Sequence, residues 1–301
     1  MTGPAAAVKR SITTALTLLI AAAYGDPSGP PPQRAYRAPR QLGLVRAAPI
    51  RESSGLAVCR VDGRFLWTHN DSGDQPRLFL INLRGELRQT YTVRGVRAID
   101  WEDICSFRYR NERYLLIGDV GDNGSRRPFV TLYLLREPVP LEKTTIDAPP
   151  LPPFQTIHLR YPAGPRDCEA VAVDATTGTA YLIEKRLLGK ARVFAVPLFV
   201  AAKNRPRMAQ PVATVNVPLV TAMDITPDGQ RAVLLTYGDA IEFTRAKTES
   251  WQTAFTGPGR QIRTPPRRQG ESICFGTDGH SLYLTSEGAD QPLWELGILK
   301  R

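Results

Sequence analysis

The sequence predicts an all-β chain folded as a β-propeller: five blades of four-stranded antiparallel sheet, the ring closed by an N-terminal strand. Three observations predict it. A strand–turn–strand unit recurs along the chain with a period near fifty residues. Asp-Gly or Thr-Gly turns follow the opening strand of most units, at Asp62-Gly63, Thr177-Gly178, Asp228-Gly229 and Asp278-Gly279. Each unit also opens on a polar residue at a matching offset, giving the column Ser54, Glu102, Glu169, Thr221 and Glu271, spaced by 48, 67, 52 and 50 residues. A β-sandwich would not explain that recurrent start. A sixth, degenerate blade is the alternative that the spacing leaves open.

Residues 1–23 come first. Lys9-Arg10 precedes the run Ser11–Ala23, and Ala21-Ala22-Ala23 offers a small-residue cleavage site, the layout of a secretory signal peptide. The run is short for a membrane span, which needs about 20 apolar residues, so the mature chain is expected to have no membrane span. Export would place it outside the cell or in the cell envelope, with an uncleaved anchor as the alternative. Residues 24–40, with five prolines, read as an extended linker. Residues 41–301 form one propeller domain, expected to be a monomer.

Within that domain, strands near Leu42–Ile50 are left over and can complete the last blade, which runs out after Leu296. The first unit reads as Ser54–Val58, Arg64–Thr68, Arg77–Leu83 and Leu87–Val93. The second starts at Glu102 and is the longest; its Pro-rich connection, 138–153, is expected to loop outside. Units three to five open at Glu169, Thr221 and Glu271. Cys59, Cys105, Cys168 and Cys274 form no CxxC pair; buried thiols are the expected state, although an exported chain would permit disulfides.

First strands of propeller blades line the central channel and run in one direction, so the column becomes a ring at one mouth. Hairpin geometry brings the ends of the second strands to the same face. That adds Asp71, Asp119, Asp122, Asn123, Glu184 and Glu287, with Asp100, Asp103 and Asp167 close by. So many carboxylates in a chain of net charge +10 call for a cation. An all-oxygen donor set suits a hard ion, and Ca2+ takes six to eight such oxygens. Three scattered histidines argue against Zn2+.

The column and its surroundings, Ser54-Gly55-Leu56, Trp101-Glu102, Cys168-Glu169-Ala170 and Gly270-Glu271, resemble the five-bladed soluble calcium-activated nucleotidases, the apyrase family. The segments around Ser54, His69–Gly73 and Gly118–Asn123 are similar to uncharacterised exported bacterial propellers related loosely to phytase-like enzymes. The first resemblance implies Ser54, Glu102, Glu169, Thr221 and Glu271 around one Ca2+, and hydrolysis of phosphate anhydrides or esters. In that reading Asp71, Asp119 or Glu184 orients the attacking water. Arg97, Lys185 and Arg186, with Asp122 and Asn123, would hold an anionic small molecule. A non-catalytic binding or scaffolding propeller with a structural ion is the other expectation. Scattered basic residues without an aromatic platform argue against nucleic acid. A serine hydrolase lacks its G-x-S-x-G elbow, and no phosphate loop is present.

Overall fold

The computed structural model describes residues 35–201 and 205–299. The expected signal peptide and most of the linker lie outside the described residues. Five sheets stand in a ring. In the first blade β2 (Ser53–Val58), β3 (Phe65–Asn70), β4 (Arg77–Asn82) and β5 (Leu87–Val93) pair antiparallel in succession. The second holds β6 (Trp101–Tyr109), β7 (Glu112–Asp119), β8 (Val130–Arg136) and β10 (Gln155–Arg160). The third holds β11 (Cys168–Asp174), β12 (Thr179–Glu184), β13 (Ala191–Pro197) and β15 (Gln210–Val215). The fourth holds β16 (Val220–Ile225), β17 (Arg231–Thr236), β18 (Ala240–Thr244) and β19 (Arg260–Ile262), with a one-turn helix, Trp251–Ala254, before its last strand.

The fifth blade closes the ring. Its β20 (Ser272–Phe275), β21 (Leu282–Thr285) and β22 (Gln291–Leu296) are completed by β1 (Arg40–Val45), antiparallel to β22. The two ends of the domain are thereby hydrogen-bonded together, and the last blade has no unpaired edge at β22. Tyr36, in the expected linker, is also tied to the domain: it bridges Ile298, and its hydroxyl donates to Glu242 Oε2 at 2.6 Å.

The Pro-rich connection is not an outside loop. Its residues Thr145–Leu151 form β9, which runs parallel to β5 as a fifth strand of the first blade. Proline cannot donate to a ladder, but an edge strand needs donors on one side only, so Pro149 and Pro150 are tolerated there. A short β14 (Arg207–Met208) likewise extends the second blade, parallel to β10.

The core shows why the ring has five members and not six. Inner strands alternate their side chains between the two neighbouring blades: Ile104 packs with Trp67, Leu78 and Leu80 of the first blade, whereas Cys105 and Phe107 pack with Val171 and Val173 of the third. The same arrangement joins the third blade to the fourth, the fourth to the fifth and the fifth to the first. Every blade face is therefore already covered. Burial of a large apolar side chain is worth about 1.5–3 kcal/mol, and Trp67, Trp101 and Trp251 are all fully buried. All four cysteines are free and buried. Among the described residues no helix is long and apolar enough to cross a membrane.

Asp103 joins three blades. Its carboxylate, fully buried, accepts from Ile104 N (2.9 Å) on its own strand, Val171 N (2.9 Å) on β11 and Met223 N (3.0 Å) on β16. Asp224 repeats the device, accepting from Ile225 N and from Phe275 N on β20, each at 2.8 Å. These carboxylates supply acceptors where the inner strands converge and have no ladder partner.

Candidate metal centre

The column residues owe their position to a repeated backbone irregularity. The ladder between first and second strands slips at Ser53/Gly55, Trp101/Asp103, Cys168/Ala170 and Val220/Ala222. In each case the skipped residue is a column member: Ser54, Glu102, Glu169 or Thr221. Glu271 directly precedes the first paired residue of β20, Ser272. A bulge frees one residue from the ladder and re-aims its side chain, which here turns it toward the channel mouth. All five are buried.

Three of the five bring carboxylates, and their neighbours add more. One oxygen each from Asp71, Asp100 and Glu102 lie within 4.8 Å of one another, and the same is true of Glu102, Asp167 and Glu169. Glu102 belongs to both groups. Gly121 makes the room: a β-carbon there would collide with Glu102 Oε1 and lie 2.6 Å from Asp100 Oδ2. That glycine, in Gly118-Asp119-Val120-Gly121, is a sequence signal whose meaning needed the fold.

Electrostatics at this mouth favour either protons or a cation. Burial, reinforced by Glu169, Asp71 and Asp100, pushes the Glu102 carboxyl well above the usual range. Burial pushes Glu169 up to about 7, Glu271 to about 8, Glu287 to about 7 and Asp100 to about 6. Asp71 and Asp167 are raised for the same reason. Glu102 and Glu169 meet carboxyl to carboxyl, as do Asp71 and Glu287. Asp71 Oδ1 and Glu271 Oε2 are buried without a hydrogen-bond partner. Gln269 Nε2 satisfies the other Glu271 oxygen at 3.0 Å.

One cation at the mouth is the protein's own. Lys185 Nζ lies 2.9 Å from Glu169 Oε2 and 5.0 Å from the centre of the Tyr237 ring. Burial disfavours its charge, yet Glu169, Tyr237 and Glu271 outweigh that and hold its pKa above the ordinary lysine value. Lys185, expected to grip an anion, is thus engaged with a candidate ligand. Lys185→Met is expected to tighten Ca2+ binding about tenfold, measured by calorimetric titration. Even at water's dielectric constant a unit charge 4 Å away is worth about 1 kcal/mol, and Glu169 would also be released; weaker binding would contradict this role.

Other residues nominated from the sequence are placed elsewhere or used otherwise. Ser54 Oγ donates to Glu102 O (2.8 Å) and Thr221 Oγ1 to Gly270 O (2.7 Å), so each hydroxyl stitches its blade to the next and retains only lone pairs for an ion. Asp119 is paired with Arg127 at 2.7 Å and accepts from the N–H groups of Ile99 and Asp100. It braces the entry to β6 and has no oxygen free for a water. Glu184 accepts from Arg192 N at 3.1 Å and sits 4.0 Å from Arg166 and 3.9 Å from Arg186.

Asp122 caps its own turn, accepting from Arg126 N and Arg127 N, and Asn123 is exposed beside it. Arg97 is exposed and contributes only its carbonyl to the packing, accepting from Trp101 Nε1 and Tyr133 Oη. Of the three carboxylates expected to orient water, Asp71 alone stands among the candidate ion ligands.

No protein-family model matches the chain, and no curated protein matches it. Solved structures match at the level of fold. A gluconolactonase from Xanthomonas campestris aligns with 91% of this chain and 98% of its own, at 13% identity and TM-score 0.48. The PQQ-bound aldose sugar dehydrogenase of Streptomyces coelicolor aligns with 90% of this chain and 100% of its own, at 10% identity and TM-score 0.49. The Dos1 propeller covers 81% of this chain and 68% of its own, at 10% identity and TM-score 0.40. This chain is a five-bladed β-propeller. Identities this low carry no activity from those proteins to this one.

Proposed function

We propose that the propeller binds Ca2+ at the acidic mouth and is a Ca2+-dependent hydrolase of phosphate esters or anhydrides acting outside the cytoplasm. One observation carries the reading: Glu102 stands between two carboxylate groups, with Asp71 Oδ1 and Glu271 Oε2 buried and unpartnered, in a chain of net charge +10. The donor set is all oxygen, the chemistry of a hard cation. Glu102, Asp71, Asp100, Asp167 and Glu169 would hold the ion. When bound, it would supply positive charge for phosphoryl oxygens and for the charge that develops on them.

The chain's own residues would do the rest. Asp71 offers its unpartnered oxygen to orient a water. Lys185, ion-paired with Glu169, would give up that carboxylate to the ion. The likeness of the column to that of calcium-activated nucleotidases names the substrates to try first. Phosphate release from ATP, ADP, phytate and phenyl phosphate is expected with Ca2+, and at least 100-fold less in chelator or with Asp71→Asn, within the range for a positioned base. No release from any of the four at micromolar protein with Ca2+ would sink the hydrolase.

A second reading has an observation in its favour. Asp119, Asp122 and Glu184 are satisfied by protein donors, leaving few groups for chemistry. A binding propeller with a structural ion would show the calcium dependence of stability described below and no turnover.

A further inference from the structure

The channel has a second end, and its chemistry is the opposite of the first. A cavity of about 480 Å³ opens where the inner strands finish, lined by Arg60, Arg108 and Arg110 over an apolar floor that includes Phe107, Val173 and Ile225. These come from the exits of β2, β6, β11 and β16, so the cavity faces away from the acidic mouth at the strand starts. We propose that this exit is a binding site for an organic anion with an apolar body, such as an aryl phosphate or aryl carboxylate.

Among the described residues these three guanidinium groups form no ion pair. Arg60 donates from Nε and Nη2 to Ser106 O, and from Nε to Ser106 Oγ at 3.0 Å. Arg108 Nη2 donates to Asn111 Oδ1 at 3.3 Å, and Arg110 lies 5.2 Å over the Tyr109 ring. Each of these partners is neutral. The two carboxylates that feel Arg60 at longer range accept from neutral donors: Glu137 Oε1 from Arg60 N and Trp67 Nε1, and Asp224 from Ile225 N and Phe275 N. Two other arginines on this side of the ring differ. Arg245 pairs with Asp174 at 2.7 Å and Arg136 with Glu112 at 2.7 Å.

The turn that presents Arg110 is itself unusual. Four blades turn from first to second strand through Asp62-Gly63, Thr177-Gly178, Asp228-Gly229 and Asp278-Gly279. The second blade uses Arg110-Asn111, both left-handed, at φ 48° and 68°. Glycine or asparagine is the low-cost choice at such positions. Arginine accepts strain there while replacing a residue that is acidic in three other blades. A forked guanidinium matches phosphate or carboxylate oxygens in two-point contact, and the floor of Phe107, Val173 and Ile225 suits a ring rather than a bare ion.

Calorimetric titration of the full chain with phenyl phosphate and with benzoate tests this, with inorganic phosphate and benzyl alcohol as controls. Chelator throughout keeps the acidic mouth out of the measurement. An aryl anion is expected to bind at least tenfold more tightly than either control. Binding should weaken with salt, fall at least tenfold in Arg108→Ala/Arg110→Ala, and be unchanged in Glu102→Gln. Both arginines are exposed, so the double variant should melt as the parent does. Two results would overturn the proposal: no heat from either aryl anion at millimolar concentration, or binding that survives Arg108→Ala/Arg110→Ala. Benzyl alcohol binding as tightly as benzoate would overturn the requirement for an anion.

Discussion

Asp103→Ala is expected to destabilise the protein by about 3–5 kcal/mol, read from urea denaturation as a lower midpoint at constant slope. The substitution orphans the N–H groups of Ile104, Val171 and Met223, all in the closed centre of the ring. An unsatisfied buried donor costs about 1–3 kcal/mol, and three that share one cavity do not add fully. Asp103→Asn should be little better, since its amide would present donors to at least one of the same N–H groups. A loss below about 1 kcal/mol in Asp103→Ala would mean that water replaces the carboxylate and that the inner strands need no such brace.

Calcium is expected to raise the melting temperature by about 5–10 °C over chelator. At a concentration 100 times its dissociation constant a ligand adds about 2.7 kcal/mol, and 1 kcal/mol shifts a domain of this size by about 2–4 °C. Glu102→Gln should abolish most of the shift, because Glu102 is shared by both carboxylate groups. Glu271→Gln should leave more of it, since Glu271 belongs to neither.

The shift should also grow with pH. Burial holds Glu169 near 7, Glu271 near 8 and Glu287 near 7, above the roughly 4.3 of an unfolded glutamate. A folded state that holds its protons more tightly than the unfolded state loses stability as pH climbs between the two values. The ion-free protein should therefore be less stable at pH 8 than at pH 5.5. Calcium requires the deprotonated carboxylates, so its stabilisation should be larger at pH 8. Melts that coincide with and without calcium at pH 8 would remove the metal centre.

Much of the fold is written locally. Turn dipeptides and alternating apolar runs mark the hairpins, and the fifty-residue recurrence marks the blades. The missing strand of the last blade identified the N-terminal segment as the closure, now seen as β1 on β22. Segment 138–153 is not legible in this way, because its prolines say only that it cannot be an inner strand. Whether it loops out or adds to an edge depends on the exposed side of β5, which is not visible from within the segment.

The same division runs through the site. By itself the sequence determined the column Ser54, Glu102, Glu169, Thr221 and Glu271, because a residue that recurs at the start of every inner strand must recur around the channel. It also determined that Asp103 faces away from Glu102 toward a neighbouring blade, because side chains alternate along a strand. Only the tertiary structure decided which carboxylates are free. Asp119, Asp122 and Glu184 are as acidic in sequence as Asp71, yet Arg127, the Asp122 turn and Arg192 N satisfy them. Lys185 reads as a grip for an anion until the fold sets it against Glu169. Residue type follows from the sequence; whether a charge meets a donor, a like charge or water follows from which blade stands opposite.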